Sequence, residues 1–215
     1  MAMKEKYGCV LLAGGSGRRI GGRNKAELEY ENQTFAERIT QELSTLGLQC
    51  YLSSAVYEQK LPEGWKLVRD RVTGEDGSYI GPIGGICSCL IQAAEDGLEG
   101  LFFTPCDAPL FRNKLIKELK KILDAETCGS VKPDALVWRT ADGKVQTTYG
   151  WYSVRCLPFL KEEIRNGRYK LIDVLNKLNC RMIDTKDPDI RDEWFVNINT
   201  EEEFRRLAWK GSYAD

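Results

Sequence analysis

Apolar residues recur along the chain with two alternating periods. Short, nearly continuous apolar runs are typical of buried strands, and apolar residues three and four positions apart are typical of helices. Strands are predicted at residues 7–12, 49–53, 66–69, 101–104, 134–138, 149–154, 181–184 and 195–198. Helices are predicted at residues 34–46, 82–94, 114–123, 157–165, 170–178 and 201–209.

This alternation of strands and helices predicts a Rossmann-like α/β fold. In such a fold a mostly parallel sheet lies between two layers of helices, as a three-layer α/β/α sandwich. Residues 139–148 are predicted to form a hairpin that turns at Asp142 and Gly143. The 215 residues fit a single domain, 1–215. Loops at the carboxyl ends of parallel strands form the ligand crevice. The candidate loops therefore follow residues 12, 53, 69, 104 and 198.

Composition excludes several classes of function. The 31 basic and 32 acidic residues leave a net charge of -1, which argues against nucleic-acid and membrane partners. The chain contains no histidine, so histidine–metal sites and serine–histidine triads are excluded. Eight cysteines, mostly inside apolar runs, predict reduced, buried thiols. Since the sequence has no signal-like start and no long apolar run, we expect a cytoplasmic protein.

The segment after the first strand is rich in glycine and in positive charge. Residues 12–25 read Leu-Ala-Gly-Gly-Ser-Gly-Arg-Arg-Ile-Gly-Gly-Arg-Asn-Lys. Glycines let backbone amides approach a phosphate, and basic side chains neutralise its charge. Two familiar nucleotide fingerprints fail, because Ile20 replaces a dinucleotide-site glycine and Arg23-Asn24 replaces the P-loop Lys-Ser/Thr pair. The segment indicates phosphate binding; the alternative is a surface connector with solvated charges.

This segment resembles the opening signature of nucleotidyltransferases with the glycosyltransferase-A-like fold, the nucleotide-diphospho-sugar transferase type. Within them it is most similar to the molybdenum cofactor guanylyltransferases of the MobA type. The resemblance implies that the backbone near the first glycines contacts the nucleotide, and that an arginine and a lysine hold the triphosphate. The matching positions are Leu12, Ala13, Gly14, Gly15, Arg19, Gly22 and Lys25. Arg19 and Lys25 are the candidate catalytic residues among them.

An aspartate follows the strand at 101–104 and lies between two prolines, in Pro105-Cys106-Asp107-Ala108-Pro109. A carboxylate in a stiff loop at the mouth of a sheet suits Mg²⁺, which binds few protein oxygens and takes others from substrate phosphates. The segment also resembles the metal-binding motif of the family. We therefore expect Asp107 to hold Mg²⁺ and the nucleotide and to take part in catalysis; the alternative is a cap of the following turn.

Asp70 follows the strand at 66–69 and precedes a glycine-rich helix start. The resemblance implies that Asp70 helps to read the base, and that Gly81 and Gly85 bring a helix N-terminus to the second substrate. The positive end of a helix favours an anion. The alternatives are an exposed turn aspartate for Asp70 and simple helix–sheet packing for the glycines.

Residues 195–200, Phe-Val-Asn-Ile-Asn-Thr, resemble the terminal motif of the same family. If residues 195–198 are a strand, Asn197 and Asn199 lie on one face and contact the pterin substrate or the water shell of the metal. Alternatively, Asn199 or Thr200 only caps the helix that begins at Glu201.

The function implied by the resemblance is transfer of GMP from GTP to molybdopterin, with Mg²⁺ as cofactor and pyrophosphate as the second product. Handover of a labile product implies transient contact with molybdoenzymes or other cofactor-biosynthesis proteins. Ser53, a predicted nucleotide-binding residue, stands near the position of a family asparagine that helps to hold guanine. This departure leaves open a cytidylyl- or other nucleotidyltransferase acting on a pterin or a sugar or polyol phosphate. A third hypothesis is a nucleotide-binding regulatory protein without turnover.

Overall fold

The computed structural model describes residues 5–14, 19–20, 23–54, 61–74, 76–125, 131–185 and 188–211. Within them, a seven-stranded sheet is built from β1 (Tyr7–Leu12), β2 (Gln49–Ser53), β3 (Lys66–Val68), β4 (Gly100–Pro105), β5 (Ala135–Arg139), β6 (Val145–Ser153) and β7 (Cys180–Asp184). The order across the sheet is β7-β5-β6-β4-β1-β2-β3. Only β6 runs antiparallel to its neighbours in this sheet, so the predicted mostly parallel sheet is confirmed.

Helices cover both faces of the sheet, as predicted. They are α1 (Phe35–Ser44), α2 (Pro82–Glu95), α3 (Lys114–Ala125), α4 (Leu157–Arg165), α5 (Leu171–Leu175) and α6 (Glu201–Gly211). Side chains of β1 alternate between two cores: Leu11 packs on the side of α1 and α3, and Val10 on the side of α2, α4 and α5. All six residues of β1 are buried, because both faces of a parallel sheet are covered.

Shorter elements complete the chain. Arg19–Ile20 pairs with Arg23–Asn24, and Glu29–Tyr30 pairs with Gln33–Thr34, each pair antiparallel. Single 3-10 turns occupy Lys25–Glu27, Val154–Cys156 and Asp192–Phe195. No helix in the described part of the chain is both long and apolar enough to cross a membrane.

The prediction of a strand at 195–198 is wrong. The structure has a 3-10 turn that ends at Phe195, and the residues after it belong to no described strand. Phe195 and Ile198 are both buried, three positions apart, which is not the two-residue period of a strand. The N–H of Ile198 donates to the carbonyl of Asp107 over 2.8 Å, so the segment is held by a loop instead of a neighbouring strand.

Two further elements have a boundary that differs from the prediction by more than two residues. The helix predicted at 170–178 is limited to Leu171–Leu175, and β6 begins at Val145 instead of residue 149. The earlier start arises because the predicted hairpin forms: Gly143, at φ 84°, turns the chain so that Val145 pairs with Arg139. Antiparallel pairing thus extends almost to the turn.

The cysteines in the described residues are free thiols, as expected. Cys9 and Cys50 lie directly opposite each other on β1 and β2, with their sulfur atoms 3.3 Å apart. Their hydrogen bond, together with burial, raises the pKa of the Cys9 thiol well above its ordinary value. Cys128 lies outside the described residues.

Glu163 of α4 provides a pH-dependent contribution to stability. Its carboxylate is buried and accepts hydrogen bonds from Arg168 and Lys177, which lower the pKa of Glu163 from 4.5 to about 2. A carboxyl group whose pKa is lower in the folded than in the unfolded state stabilises the fold above about pH 4.5. This contribution is lost as the pH falls towards 2. In Glu163→Gln the free energy of unfolding is therefore lower than in the wild type at neutral pH, and the gap narrows as the pH approaches 2.

Denaturant unfolding of the wild type and of Glu163→Gln, from neutral pH to about pH 2, measures the difference between their free energies of unfolding. Glu162→Gln, at the exposed neighbouring position on α4, controls for the loss of one negative charge. A gap between wild type and Glu163→Gln that stays constant with pH contradicts the prediction.

Candidate functional site

A cavity of about 420 Å³ opens at the carboxyl ends of the central strands. The N–H of Ala13 donates to the carbonyl of Ser53 over 2.8 Å, and the N–H of Cys106 to the carbonyl of Leu12 over 3.0 Å. These bonds hold the loops after β1, β2 and β4 at the same edge of the sheet. The cavity is lined by Leu12, Gly14, Lys25, Ser53, Asp70, Tyr79, Pro82, Gly85, Pro105, Asp107, Thr148, Asn197 and Asn199.

Most of the predicted site residues are therefore brought together, but not all. Ala13 and Gly81 do not line the cavity, although Ala13 adjoins it and Gly81 precedes α2 with a φ of 80°. Gly15 and Gly22 lie outside the described residues. For Arg19 the structure describes the backbone strand but not the side chain.

A buried ion pair forms part of the cavity wall. Nζ of Lys25 is 3.4 Å from Oδ2 of Asp107, and it donates to Oδ1 of Asn199 over 2.7 Å. The two charged side chains are only 5% and 7% exposed. Lys25 begins a 3-10 turn whose next residue, Ala26, packs in the core, so the turn fixes the base of the lysine side chain.

Asp107 keeps one carboxylate oxygen unpaired. Its Oδ1 is buried and has no hydrogen-bond partner among the described residues. A buried polar atom without a partner is destabilising, and a cation would satisfy it. The described residues contain no group of three or more cysteine, aspartate or glutamate side chains that could hold a metal by themselves. The donor set thus fits Mg²⁺, which takes the rest of its ligands from phosphates and water.

Asp70 lines the cavity beside Ser53. The Ser53 hydroxyl donates to Oδ1 of Asp70 over 3.0 Å, while Oδ2 is buried without a partner among the described residues. Burial raises the pKa of Asp70, and the Ser53 hydrogen bond lowers it in part. Two glycines make room here: a Cβ on Gly14 would lie 2.8 Å from Oδ2 of Asp70, and one on Gly85 3.0 Å from Oγ of Ser53.

Asn197 and Asn199 also line the cavity, and the residue that caps the following helix is their neighbour Thr200. The N–H of Glu203 donates to Oγ1 of Thr200 over 3.2 Å, and Oε2 of Glu203 accepts from the N–H of Thr200 over 2.9 Å. Thr200 is therefore the cap of α6, which leaves the side chain of Asn199 to contact Lys25. The side-chain oxygen Oδ1 of Asn197 accepts a hydrogen bond from the hydroxyl of Tyr149.

Four lining residues were not predicted: Tyr79, Pro82, Pro105 and Thr148. Tyr79 donates from its hydroxyl to the carbonyl of Gly14 over 3.2 Å, from a loop whose polar sequence gives no sign of this contact. Thr148 reaches the cavity because the pairing of β6 with β5 shifts between Gln146 and Gly150. The adjacent polar pair Thr147-Thr148 within a strand is the one sequence signal of this irregularity.

The chain is similar to known proteins of one family. The MobA-like NTP transferase domain matches residues 9–181. The chain is 30% identical over 205 residues to a molybdenum cofactor guanylyltransferase of Vibrio vulnificus, covering 93% of each protein. It is 28% identical over 204 residues to the molybdenum cofactor guanylyltransferase of Vibrio cholerae, covering 93% of this chain and 90% of that protein.

Solved structures share the fold. The molybdopterin-guanine dinucleotide biosynthesis protein A of Archaeoglobus fulgidus has a TM-score of 0.72 at 20% identity, covering 95% of this chain and 98% of that one. The manganese complex of Rv0371C from Mycobacterium tuberculosis has a TM-score of 0.63 at 19% identity, again covering 95% and 98%.

The hydrogen bond between Ser53 and Asp70 is directly testable. Ser53→Ala removes the hydrogen bond that, among the described residues, lowers the pKa of Asp70, and it leaves the burial of Asp70 in place, so the pKa of Asp70 rises further. The carboxyl carbon resonance of Asp70, followed by NMR through a pH titration, measures this shift. Asp189, which pairs with Lys114 on the surface, is the internal reference. An unchanged or lower pKa of Asp70 in the variant contradicts the assignment.

Proposed function

The chain belongs to the MobA-like NTP transferase family, and on that premise we propose that it transfers GMP from GTP to molybdopterin in the presence of Mg²⁺. The products are the guanine dinucleotide cofactor and pyrophosphate. The observation that carries the proposal is the buried Lys25–Asp107 pair at the mouth of the sheet, with one oxygen of Asp107 still unpaired. The names of the two Vibrio relatives support the choice of nucleotide and acceptor.

The reaction requires that the two substrates be positioned and that the negative charge of the phosphates be neutralised, and residues of the cavity suit both tasks. A phosphate oxygen of molybdopterin forms a bond to the α-phosphorus of GTP, and the bond from that phosphorus to the bridging oxygen of pyrophosphate breaks. The attacking phosphate is already anionic, so a chain without histidine needs no strong base. Lys25 holds the triphosphate and stabilises the departing pyrophosphate. Mg²⁺ bound to Asp107 would add positive charge beside the nucleotide phosphates.

The chemistry of Asp70 favours guanine. Oδ2 of Asp70 is a buried acceptor without a partner among the described residues, and Oδ1 is fixed by Ser53. Guanine presents two neighbouring N–H donors on one edge, its ring N1–H and its exocyclic amine, which a carboxylate can accept together. Cytosine and adenine offer only an exocyclic amine on that edge. Asp70 would thus supply the acceptor without the family asparagine near whose position Ser53 stands.

Asp107→Asn tests the proposal. The substitution keeps the shape of the side chain and an oxygen that can accept from Lys25, but it removes the negative charge that binds the cation. We expect Mg²⁺-dependent formation of pyrophosphate and of the dinucleotide from GTP and molybdopterin to fall by at least about 100-fold. Wild-type turnover with these substrates is the reference measurement.

Circular dichroism verifies that the variant is folded, and Asp189→Asn, an exposed position, is the matched control with unchanged turnover. Normal turnover by Asp107→Asn overturns the metal assignment. Absence of product from the wild type overturns the proposed reaction itself.

A further inference from the structure

The two asparagines of the cavity are both held by their carbonyl oxygens. The hydroxyl of Tyr149 donates to Oδ1 of Asn197, and Nζ of Lys25 donates to Oδ1 of Asn199. Tyr149 does not line the cavity. It is 2% exposed, and its ring packs against Phe195 with the ring centres 5.2 Å apart. The hydroxyl that orients Asn197 therefore belongs to the core behind the binding surface.

The orientation of Asn197 decides what it can bind. A side-chain amide has an acceptor oxygen on one side and a donor nitrogen on the other. Because the oxygen of Asn197 turns towards the buried Tyr149 hydroxyl, the amide nitrogen is the group left for the cavity that Asn197 lines. An amide nitrogen donates hydrogen bonds and does not ligate a cation. The ligand at this position is therefore a hydrogen-bond acceptor.

We propose that Tyr149 is a positioning residue, which turns Asn197 so that its amide N–H groups bind the anionic phosphate of the acceptor substrate. The inference rests on the proposed function, because that reaction brings a phosphate monoester of the acceptor into the cavity. It also changes the expectation for Asn197 stated from the sequence: the residue contacts the second substrate, and does not serve the water shell of the metal. The acceptor phosphate then lies on the side of the cavity where Lys25 and Asn199 are.

Tyr149→Phe removes the hydroxyl and keeps the ring that packs on Phe195. Without the hydroxyl the amide of Asn197 is free to rotate, so the KM for molybdopterin rises roughly three- to tenfold, the fold-change equivalent to one hydrogen bond. The KM for GTP stays unchanged. The matched control is Tyr51→Phe, which also loses a buried tyrosine hydroxyl bond, here to Asp96, away from the cavity. Equal changes of both KM values, or no change in either, overturn the proposal.

Asn197→Asp separates a donor role from a cation-ligand role. The shape is kept, but the amide nitrogen is replaced by a carboxylate oxygen that repels a phosphate. A donor role predicts that the KM for molybdopterin rises by about 100-fold or more, whereas a cation ligand would keep or tighten Mg²⁺ dependence. In an Asn197→Ala background, Tyr149→Phe has no further effect on this KM if Tyr149 acts through Asn197. If the two substitutions instead change the KM for molybdopterin independently, so that their fold-changes multiply, Tyr149 does not act through Asn197.

A binding experiment separates this inference from the proposed reaction. The side-chain amide of Asn197 is followed by ¹⁵N–¹H NMR while inorganic phosphate is added to the wild type and to Tyr149→Phe. We expect the amide signals to move on phosphate binding in the wild type, and the apparent affinity to be several-fold weaker in Tyr149→Phe. If the wild type forms the dinucleotide but the amide signals do not respond, the inference fails and the reaction stands. If the signals respond and no dinucleotide forms, the reaction fails and the donor role of Asn197 stands.

Discussion

The ammonium group of Lys25 lies where three distant segments of the chain meet. Lys25 belongs to a 3-10 turn between β1 and α1, Asp107 to the loop after β4, and Asn199 to the stretch before α6. Burying a charge is unfavourable unless it is paired and hydrogen-bonded, so the lysine is accommodated only when all three segments are in place. The contacts that complete the fold at this edge are also the contacts that place the Asp107 carboxylate and the Lys25 ammonium side by side in the cavity wall.

The cavity combines that ion pair with two groups of hydrogen-bonding side chains. Asp70 and Ser53 lie beside glycines that leave no space for a side chain, which suits a flat base. Asn197 is oriented from the core by Tyr149. Burial, together with the nearby charge of Asp107, raises the pKa of Tyr149 well above its ordinary value, so its hydroxyl remains a donor at any ordinary pH. Lys25 and Asp107 thus contribute charges of opposite sign to a cavity wall that also carries these hydrogen-bonding groups.

Much of the fold can be predicted from the sequence, because local patterns determine it. The buried runs of β1 and β4, the helical stripe of α2 and the turn at Gly143 each have a signature that tertiary structure does not override. The positions of Asp107 and Lys25 in the cavity could also be predicted, because each belongs to a motif that is contiguous in the chain. The sequence-based prediction is wrong at 195–198, where apolar spacing reflects packing against Tyr149 and a backbone bond to Asp107. Tyr79 could not be predicted, since only the path of its loop brings it to the cavity. Thr148 reaches the cavity through the shift in β6 pairing, for which the polar pair Thr147-Thr148 is the sequence signal.

The measurement that tests the central claim most directly is thermal stabilisation of the protein by GTP, CTP, ATP and UTP in turn, each with and without Mg²⁺. A ligand at about one hundred times its dissociation constant stabilises a native state by about 2.7 kcal/mol, which is enough to rank the four bases. The account predicts the largest stabilisation by GTP, with a clear dependence on Mg²⁺. A preference for CTP would instead assign the protein to cytidylyl transfer, and no response to any nucleotide would contradict a nucleotide site at Lys25 and Asp107.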